Sequence, residues 1–283
     1  MNKIKAIIEL IRIKHWIKNL LVFVPMVCAR KFDLSIVATV GIGFLSFSFL
    51  TSFVYIINDI RDIKKDRIHP RKKKRPLPSG RIGKNEAIMI AIVMLIVSIV
   101  FNYLAKLSFV NISWIFLALY LVVNLGYSFG LKNIAVIDIV LLSIGFIIRV
   151  YYGGALADVA VSNWLFLTIL SASMFLALGK RKKEFVSGAS VRSVLAQYKE
   201  EYVDKFVYVF LALMLVFYSL WAMEQESGYF IFTVPVVMLI FMKYCLIMEK
   251  SDEGDPTTIV YQSKGLMSLC AVYGIIMIIL FCI

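Results

Sequence analysis

The sequence predicts an all-α, polytopic membrane protein, and three observations carry that reading. Hydrophobic residues make up 61% of the 283 and charged residues 17%, where a soluble domain would be nearer half and a quarter. Mean hydropathy is +0.85. Apolar stretches approach or exceed the roughly 20 residues that a helix needs to cross a bilayer, and they recur along the whole chain. They fall near 16–29 (short), 34–57, 86–105, 109–129, 134–156, 160–179, 205–224, 229–248 and 264–283, which makes nine.

The first stretch follows Lys3, Lys5, Arg12 and Lys14 and has no small-residue cleavage pattern after it, so it reads as an uncleaved span. Arg12, Lys14, His15, Trp16, Lys18 and Asn19 form its basic, amphipathic lead. Interfacial anchoring is the plain reading, with Lys18 and Asn19 the pair best placed to reach inward. The second stretch ends in Asn58-Asp59-Ile60-Arg61-Asp62-Ile63-Lys64-Lys65-Asp66, then His69-Pro70 and the cations 71–75. Prolines 76 and 78 with Gly80 forbid a continuous helix there, so the loop folds back and brings Arg75 towards the acids. Five consecutive cations repel one another unless polyanions are near. Anionic lipid head groups and a phosphorylated substrate both fit.

Tyr127, Ser128 and Lys132 stand at the end of the fourth stretch, where a belt tyrosine and a snorkelling lysine are the simple explanation. Asp138 and Arg149 interrupt the fifth. Eleven residues is close to three helical turns, so they share a face about 16 Å apart along the axis, too far for a direct pair. An intramembrane charge is a functional or a bundle-bonding feature. Gly179-Lys180-Arg181-Lys182-Lys183-Glu184 closes the sixth stretch. It is a phosphate site rich in cations or a stop-transfer cluster. The four cysteines lack metal-ligand spacing and read as packed thiols.

Topology follows from the cations. With the N-terminus inside, 27 of the 31 Lys and Arg fall on cytoplasmic segments, and only Arg30, Lys31 and Lys106 fall outside. The positive-inside rule therefore puts the N-terminus and the acidic stretch in the cytoplasm and the C-terminus outside. The same distribution accounts for the net charge of +13 without any nucleic acid. Cytoplasmic loops fall near 61–84 and 180–204 of a single transmembrane domain, 1–283.

If the second helix continues through the acidic stretch, Asn58, Asp62 and Asp66 recur at i, i+4 and i+8, with Asp59 one turn before Asp62. Such a ladder offers hard oxygen ligands to Mg²⁺, which is commonly completed by waters and substrate phosphates. Alternatively, the acids pair with Lys64, Lys65 and Arg67 at a solvated helix end. Phosphate-loop, nucleophile-elbow, HExxH and dinucleotide motifs are all absent.

The motif Asn58-Asp59-x-x-Asp62-x-x-x-Asp66, the loop from His69 to Gly80 and the nine stretches resemble the UbiA superfamily of intramembrane prenyltransferases over nearly the whole chain. Arg12 to Asn19, Tyr127 to Lys132, Asp138 with Gly145 to Arg149, and Gly179-Lys180-Arg181 are most similar to its phosphoribosyl-transferring branch. The resemblance implies helices around a central, cytoplasm-facing cavity. It also implies transfer of 5-phosphoribosyl from phosphoribosyl pyrophosphate to a polyprenyl phosphate. Asp59, Asp62 and Asp66 are the implied Mg²⁺ ligands and catalytic residues, and Asn58 lies among the substrate contacts. Lys180 and Arg181 are implied on the donor's 5-phosphate or diphosphate, with Glu184 beside them. Arg75 or Lys132 is implied on the lipid phosphate, and Lys18, Asn19, Tyr127, Asp138 and Arg149 line the polar site. The chain departs from the superfamily where most members carry a second Asp-rich motif and it has Lys180, Arg181 and Glu184. A prenyl transfer to an aromatic acceptor and a non-catalytic transporter or lipid-binding protein are the competing readings. Membrane lipids are partners in any case, and homo-oligomerisation stays open. Asp62→Asn is expected to abolish transfer while leaving the yield of folded protein near that of the parent, which activity and size-exclusion profiles of the purified variant check.

Overall fold

The computed structural model describes residues 3–70, 72–186, 193–250 and 256–282. The first two residues, Arg71 of the basic run, 187–192 of the loop expected near 180–204, 251–255 and the last residue lie outside the described residues. The described chain is helical: α1 Lys3–Ile11, a 3₁₀ segment Ile13–Phe23, α2 Val24–Cys28, α3 Leu34–Ile68, α4 Lys84–Lys106, α5 Ser113–Phe129, α6 Ile137–Ala157, α7 Asn163–Val186, α8 Glu200–Glu224, α9 Thr233–Lys250, α10 Pro256–Gln262 and α11 Lys264–Cys282. Among the described residues, seven helical segments are long and apolar enough to cross a membrane.

Two of the expected spans differ from that pattern for local reasons. The stretch 16–29 is not one long helix. Arg12 takes a left-handed conformation (φ 58°) that ends α1, a 3₁₀ segment follows, and Pro25 starts the short α2. The stretch 109–129 begins late, because Leu107 leaves α4 with φ 49° and a polar turn then takes the backbone donors. Val110 N–H donates to Ser108 Oγ and Ser113 N–H to Asn111 Oδ1, which leaves α5 with 17 residues.

The chain divides into two compact units, Met1–Leu131 with Ile148–Ala160, and Lys132–Ile147 with Val161–Ile283. In the first, α3 is the hub against which α1, the 3₁₀ segment, α4 and α5 pack. At 35 residues it is about 52 Å long against a hydrocarbon thickness of about 30 Å. Its last turns, with residues 58–66, therefore extend into polar surroundings. The helix ends where Pro70 forces His69 into an extended conformation (ψ 131°). Ala6 and Leu10 of α1, Ile56, Leu77, Ile82, Ala87 and Ala91 form one buried cluster beneath the loop 70–83. Removing a Leu or Ile side chain fully from water is worth roughly 1.5–3 kcal/mol, so Leu77 and Ile82 seat this loop firmly. In the second unit α7 packs on α8, and α9 on α8 and α11. Phe175, Leu178, Val203, Val207, Tyr244, Met248 and Ile259 are in its buried core.

Within the first unit α6 comes so close to the N-terminal segment that a Cβ on Gly153 would lie 1.9 Å from the Val22 carbonyl oxygen. That contact is backbone and cannot rotate away. Gly153→Ala should destabilise by at least the roughly 1–3 kcal/mol typical of overpacking, read as a lower melting temperature in detergent.

Candidate active site

The first polar cluster lies on one face of α3. Asp59 and Asp66 are seven residues apart, about 20° around a helix of 3.6 residues per turn, and both are buried. They accept from the same guanidinium nitrogen: Arg75 Nη1 is 3.2 Å from Asp59 Oδ1 and 2.8 Å from Asp66 Oδ2. Arg12 Nη2 also donates to Asp59 Oδ1 at 2.5 Å, with its guanidinium 4.8 Å from the centre of the Tyr55 ring. Lys72 Nζ is 3.9 Å from Asp66. Asp62, about 40–60° round the helix from the other two, is half-buried. On the flank, Ser128 Oγ donates to Asn58 Oδ1 (3.2 Å).

The same face of α3 holds the N-terminal segment. Trp16 Nε1 donates to Ser52 Oγ, which donates to the Ile11 carbonyl. Asn19 Nδ2 donates to Ser48 Oγ and Thr51 Oγ1, each at 3.0 Å. Arg149 Nε donates to Asn19 Oδ1 (2.8 Å) and Nη2 to Tyr120 Oη (3.0 Å). The Arg149 guanidinium also lies 5.3 Å from the Phe47 ring centre. Asn19 and Arg149, expected at the polar site, are thus brought together as buried members of one network. Their bonds tie the 3₁₀ segment to α3 and α6, because buried polar groups are costly unless paired. Lys18 and Tyr127 are half-buried.

The second cluster belongs to the other unit. Arg181 and Asp138 are both fully buried, with Nε to Oδ2 at 2.6 Å, and Arg181 Nη1 bonds Glu184 Oε2 at 2.7 Å. Tyr198 Oη donates to Asp138 Oδ1 (2.7 Å) and accepts from the Val136 N–H (2.5 Å). Val136 has φ 68°, a left-handed conformation rare for a β-branched residue, and this bond helps to hold it. Burial first, and the bond to Asp138 second, push the Tyr198 phenol above its ordinary range, so it remains a neutral donor. Gln197 completes the brace, accepting from Ala135 N–H and donating to the Asn133 carbonyl.

Arg181 directs Nε and Nη1 at two carboxylates and its surface is closed, so these contacts tie α6 to α7. Lys180 and Lys132 are half-buried. Lys180 to Glu184 lie on α7 itself, which runs to Val186.

The sequence marks Arg12 only as part of the basic lead and not as a partner of the acids, and it does not mark Tyr198. The signal for Arg12 is weak, one cation in a basic leader. For Asp59 and Asp66 the i, i+7 spacing is the informative one, more so than the i, i+4 ladder through Asn58.

Among the described residues no three acidic, histidine or cysteine side chains form a group able to hold a metal ion alone. Two buried carboxylates converging on one cationic nitrogen are nonetheless a hard-oxygen donor set. That suits Mg²⁺, which is usually bound by one or two carboxylates with the remainder from waters and substrate phosphates. The residues fit a shared site and not an all-protein cage.

Apolar helices with acids and arginines gathered at their ends define an integral membrane protein. The profile of the UbiA prenyltransferase family matches residues 20–269, and the chain belongs to that family; it is a membrane-embedded transferase. It is 32% identical to the decaprenyl-phosphate phosphoribosyltransferase of Mycolicibacterium smegmatis, over 95% of this chain and 90% of that one. To the protein of the same name from Corynebacterium glutamicum it is also 32% identical, over 98% and 87%. The solved structure of a UbiA homologue from Archaeoglobus fulgidus bound to GPP and Mg²⁺ superposes with a TM-score of 0.72 at 18% identity, covering 96% of this chain and 99% of that one.

Removing Asp138 takes from the buried Arg181 its fully buried carboxylate partner and leaves Glu184; breaking a buried pair typically costs about 3–5 kcal/mol. Asp138→Ala should lower the melting temperature sharply, and Asp138→Ala with Arg181→Met should recover part of the loss.

Proposed function

We propose that this protein transfers the 5-phosphoribosyl group of phosphoribosyl pyrophosphate to a polyprenyl phosphate and releases diphosphate. The observation that carries the reading is the meeting of Asp59 and Asp66 on one Arg75 nitrogen, with Arg12 beside them. Acids and arginines so arranged suit a diphosphate and its counter-ion. The names of the curated relatives, matched over nearly the full chain, support the choice of donor and acceptor.

In the reaction, a bond forms between a lipid phosphate oxygen and the anomeric carbon of the ribose. The bond from that carbon to the diphosphate breaks, and its electron pair leaves with the diphosphate. The nucleophile is already an anion, so no general base is required, consistent with His15 and His69 being the only histidines. Asp59 and Asp66, with Asp62 at their flank, would hold Mg²⁺, which when bound neutralises charge building on the leaving diphosphate. Arg75 and Arg12 donate charge-assisted bonds to phosphate oxygens and hold the two buried acids in place. Lys180 binds a phosphate of the donor, and Lys132 that of the lipid. Arg181, Asp138, Glu184 and Tyr198 keep the helix ends around Lys180 and Lys132 in register. Asn19 and Arg149 set the N-terminal segment that carries Arg12, with Lys18 and Tyr127 as polar neighbours of the substrates and Asn58 orienting the acidic face through Ser128.

The working form is one transmembrane domain of nine spans. Its N-terminus and polar site are cytoplasmic and its C-terminus is outside, with a cytoplasm-facing cavity that admits the lipid tail from the bilayer.

Purified protein given Mg²⁺, radiolabelled phosphoribosyl pyrophosphate and polyprenyl phosphate should yield lipid-soluble label. Label found only when a prenyl diphosphate and an aromatic acceptor are supplied would overturn the reading. Arg75→Ala should lower kcat/KM for the donor by about ten- to a hundredfold, the equivalent of one or two charged hydrogen bonds, in the same assay.

A further inference from the structure

Arg75 reaches its two acids from a loop, and loops hold geometry only where something fixes their backbone. Leu77 and Ile82 fix this one from below. Gly80 turns it, with φ 76°, in the left-handed region open to glycine. From above, a single side chain spans it. Arg81 donates from Nη2 to the Lys74 carbonyl (2.6 Å) and from Nε to Ser79 Oγ (3.2 Å). Ser79 Oγ in turn donates to the carbonyl of Arg75 itself (2.6 Å). The remaining arm, Arg81 Nη1, pairs with Glu9 Oε2 of α1 at 2.7 Å. One guanidinium therefore holds the peptide before Arg75 directly and the one after it through Ser79, and is itself anchored to a different helix.

We propose that Arg81 is a positioning residue for Arg75 and that Glu9 is its outer anchor; the inference rests on the reading above in which Arg75 serves the donor. The ion pair is partly exposed, with side-chain exposures of 23% for Arg81 and 37% for Glu9, and exposed pairs contribute little to stability. Its effect is on aim. Arg75 must satisfy Asp59 and Asp66 with one nitrogen, and a displacement of about 1 Å in a positioned group is enough to cost on the order of a hundredfold in rate. A lysine at position 81 keeps the charge opposite Glu9, yet a single ammonium does not reproduce the planar fork that reaches three acceptors at once.

The test uses the full-length purified protein with phosphoribosyl pyrophosphate and polyprenyl phosphate. The parent, Arg81→Ala, Arg81→Lys, Glu9→Gln, Arg75→Ala and the Arg75→Ala/Arg81→Ala pair are compared for kcat, both KM values and melting temperature. Arg81→Ala should lower kcat/KM for the donor by about tenfold or more, with the KM for lipid and the melting temperature near those of the parent. Arg81→Lys should rescue little of this, and Glu9→Gln should show a smaller loss of the same kind. In the Arg75→Ala background, removal of Arg81 should add less than about twofold, since residues acting through one another are not additive. Multiplicative losses in the pair, or an Arg81→Ala enzyme that matches the parent, would overturn the inference while leaving the role of Arg75 intact. Full activity in Arg75→Ala would overturn that role and this inference together. Should Arg81→Ala not fold, the same comparison is made with Arg81→Lys, alone and paired with Arg75→Ala.

Discussion

The constraint on which the first unit depends is that Asp59 and Asp66 are buried acids on one stripe of α3, and buried carboxylates need positive partners. Their cations come from elsewhere in the chain. Arg12 is delivered by the turn after α1, and Arg75 by the loop before α4. Each delivery fixes a segment that has little helical regularity of its own. The left-handed backbone at Arg12 costs on the order of 1–3 kcal/mol, and it persists where Trp16 Nε1 and the Ile11 carbonyl both bond to Ser52 of α3. Strain, hydrogen bonds and ion pairs all converge on the same face.

The second unit solves a related problem with the same kind of device. Arg181 spans Asp138 and Glu184 much as Arg75 spans Asp59 and Asp66. The exposures differ, and so does the chemistry available. Arg75 keeps a third of its side chain exposed while Arg181 has none. An arginine that keeps solvent contact can exchange part of its bonding for a phosphate. One closed in on two carboxylates compensates their buried charge, so its removal is felt in stability. Tyr198 extends that frame to Val136, where it holds a strained backbone between α6 and the preceding turn.

Buried polar residues elsewhere in the first unit follow the same economy. Tyr152 Oη donates to Asn102 Oδ1, and Asn102 Nδ2 donates to Ser113 Oγ, so α4, α5 and α6 share one set of bonds where hydrocarbon gives no alternative partner. Lys106 pairs with Asp158, and Lys31 bonds the Asp158 carbonyl. Both cations near α4 and α2 thereby close on the end of α6.

The sequence by itself determined that this is a helical membrane protein, because apolar run length and the placement of 31 cations are one-dimensional properties set by bilayer thickness and charge transfer. It also marked the acidic stretch 58–66, since carboxylates at the end of an apolar helix are costly enough to stand out. What only the tertiary structure decided is which cation meets which acid. Arg12 and Asp59 are 47 residues apart, and Arg181 and Asp138 are 43 apart, so no local spacing announces either pair. Arg149 and Asn19 lie 130 residues apart; the sequence marked each of them, and only packing made them partners. The same limit applied to the two short apolar stretches: hydropathy saw their length, whereas Arg12 and the turn at Ser108–Asn111 broke them through backbone geometry. Charge and hydropathy are additive along a chain and can be read from it. Pairing is a property of surfaces brought together by folding, and it becomes definite only when the helices have found one another.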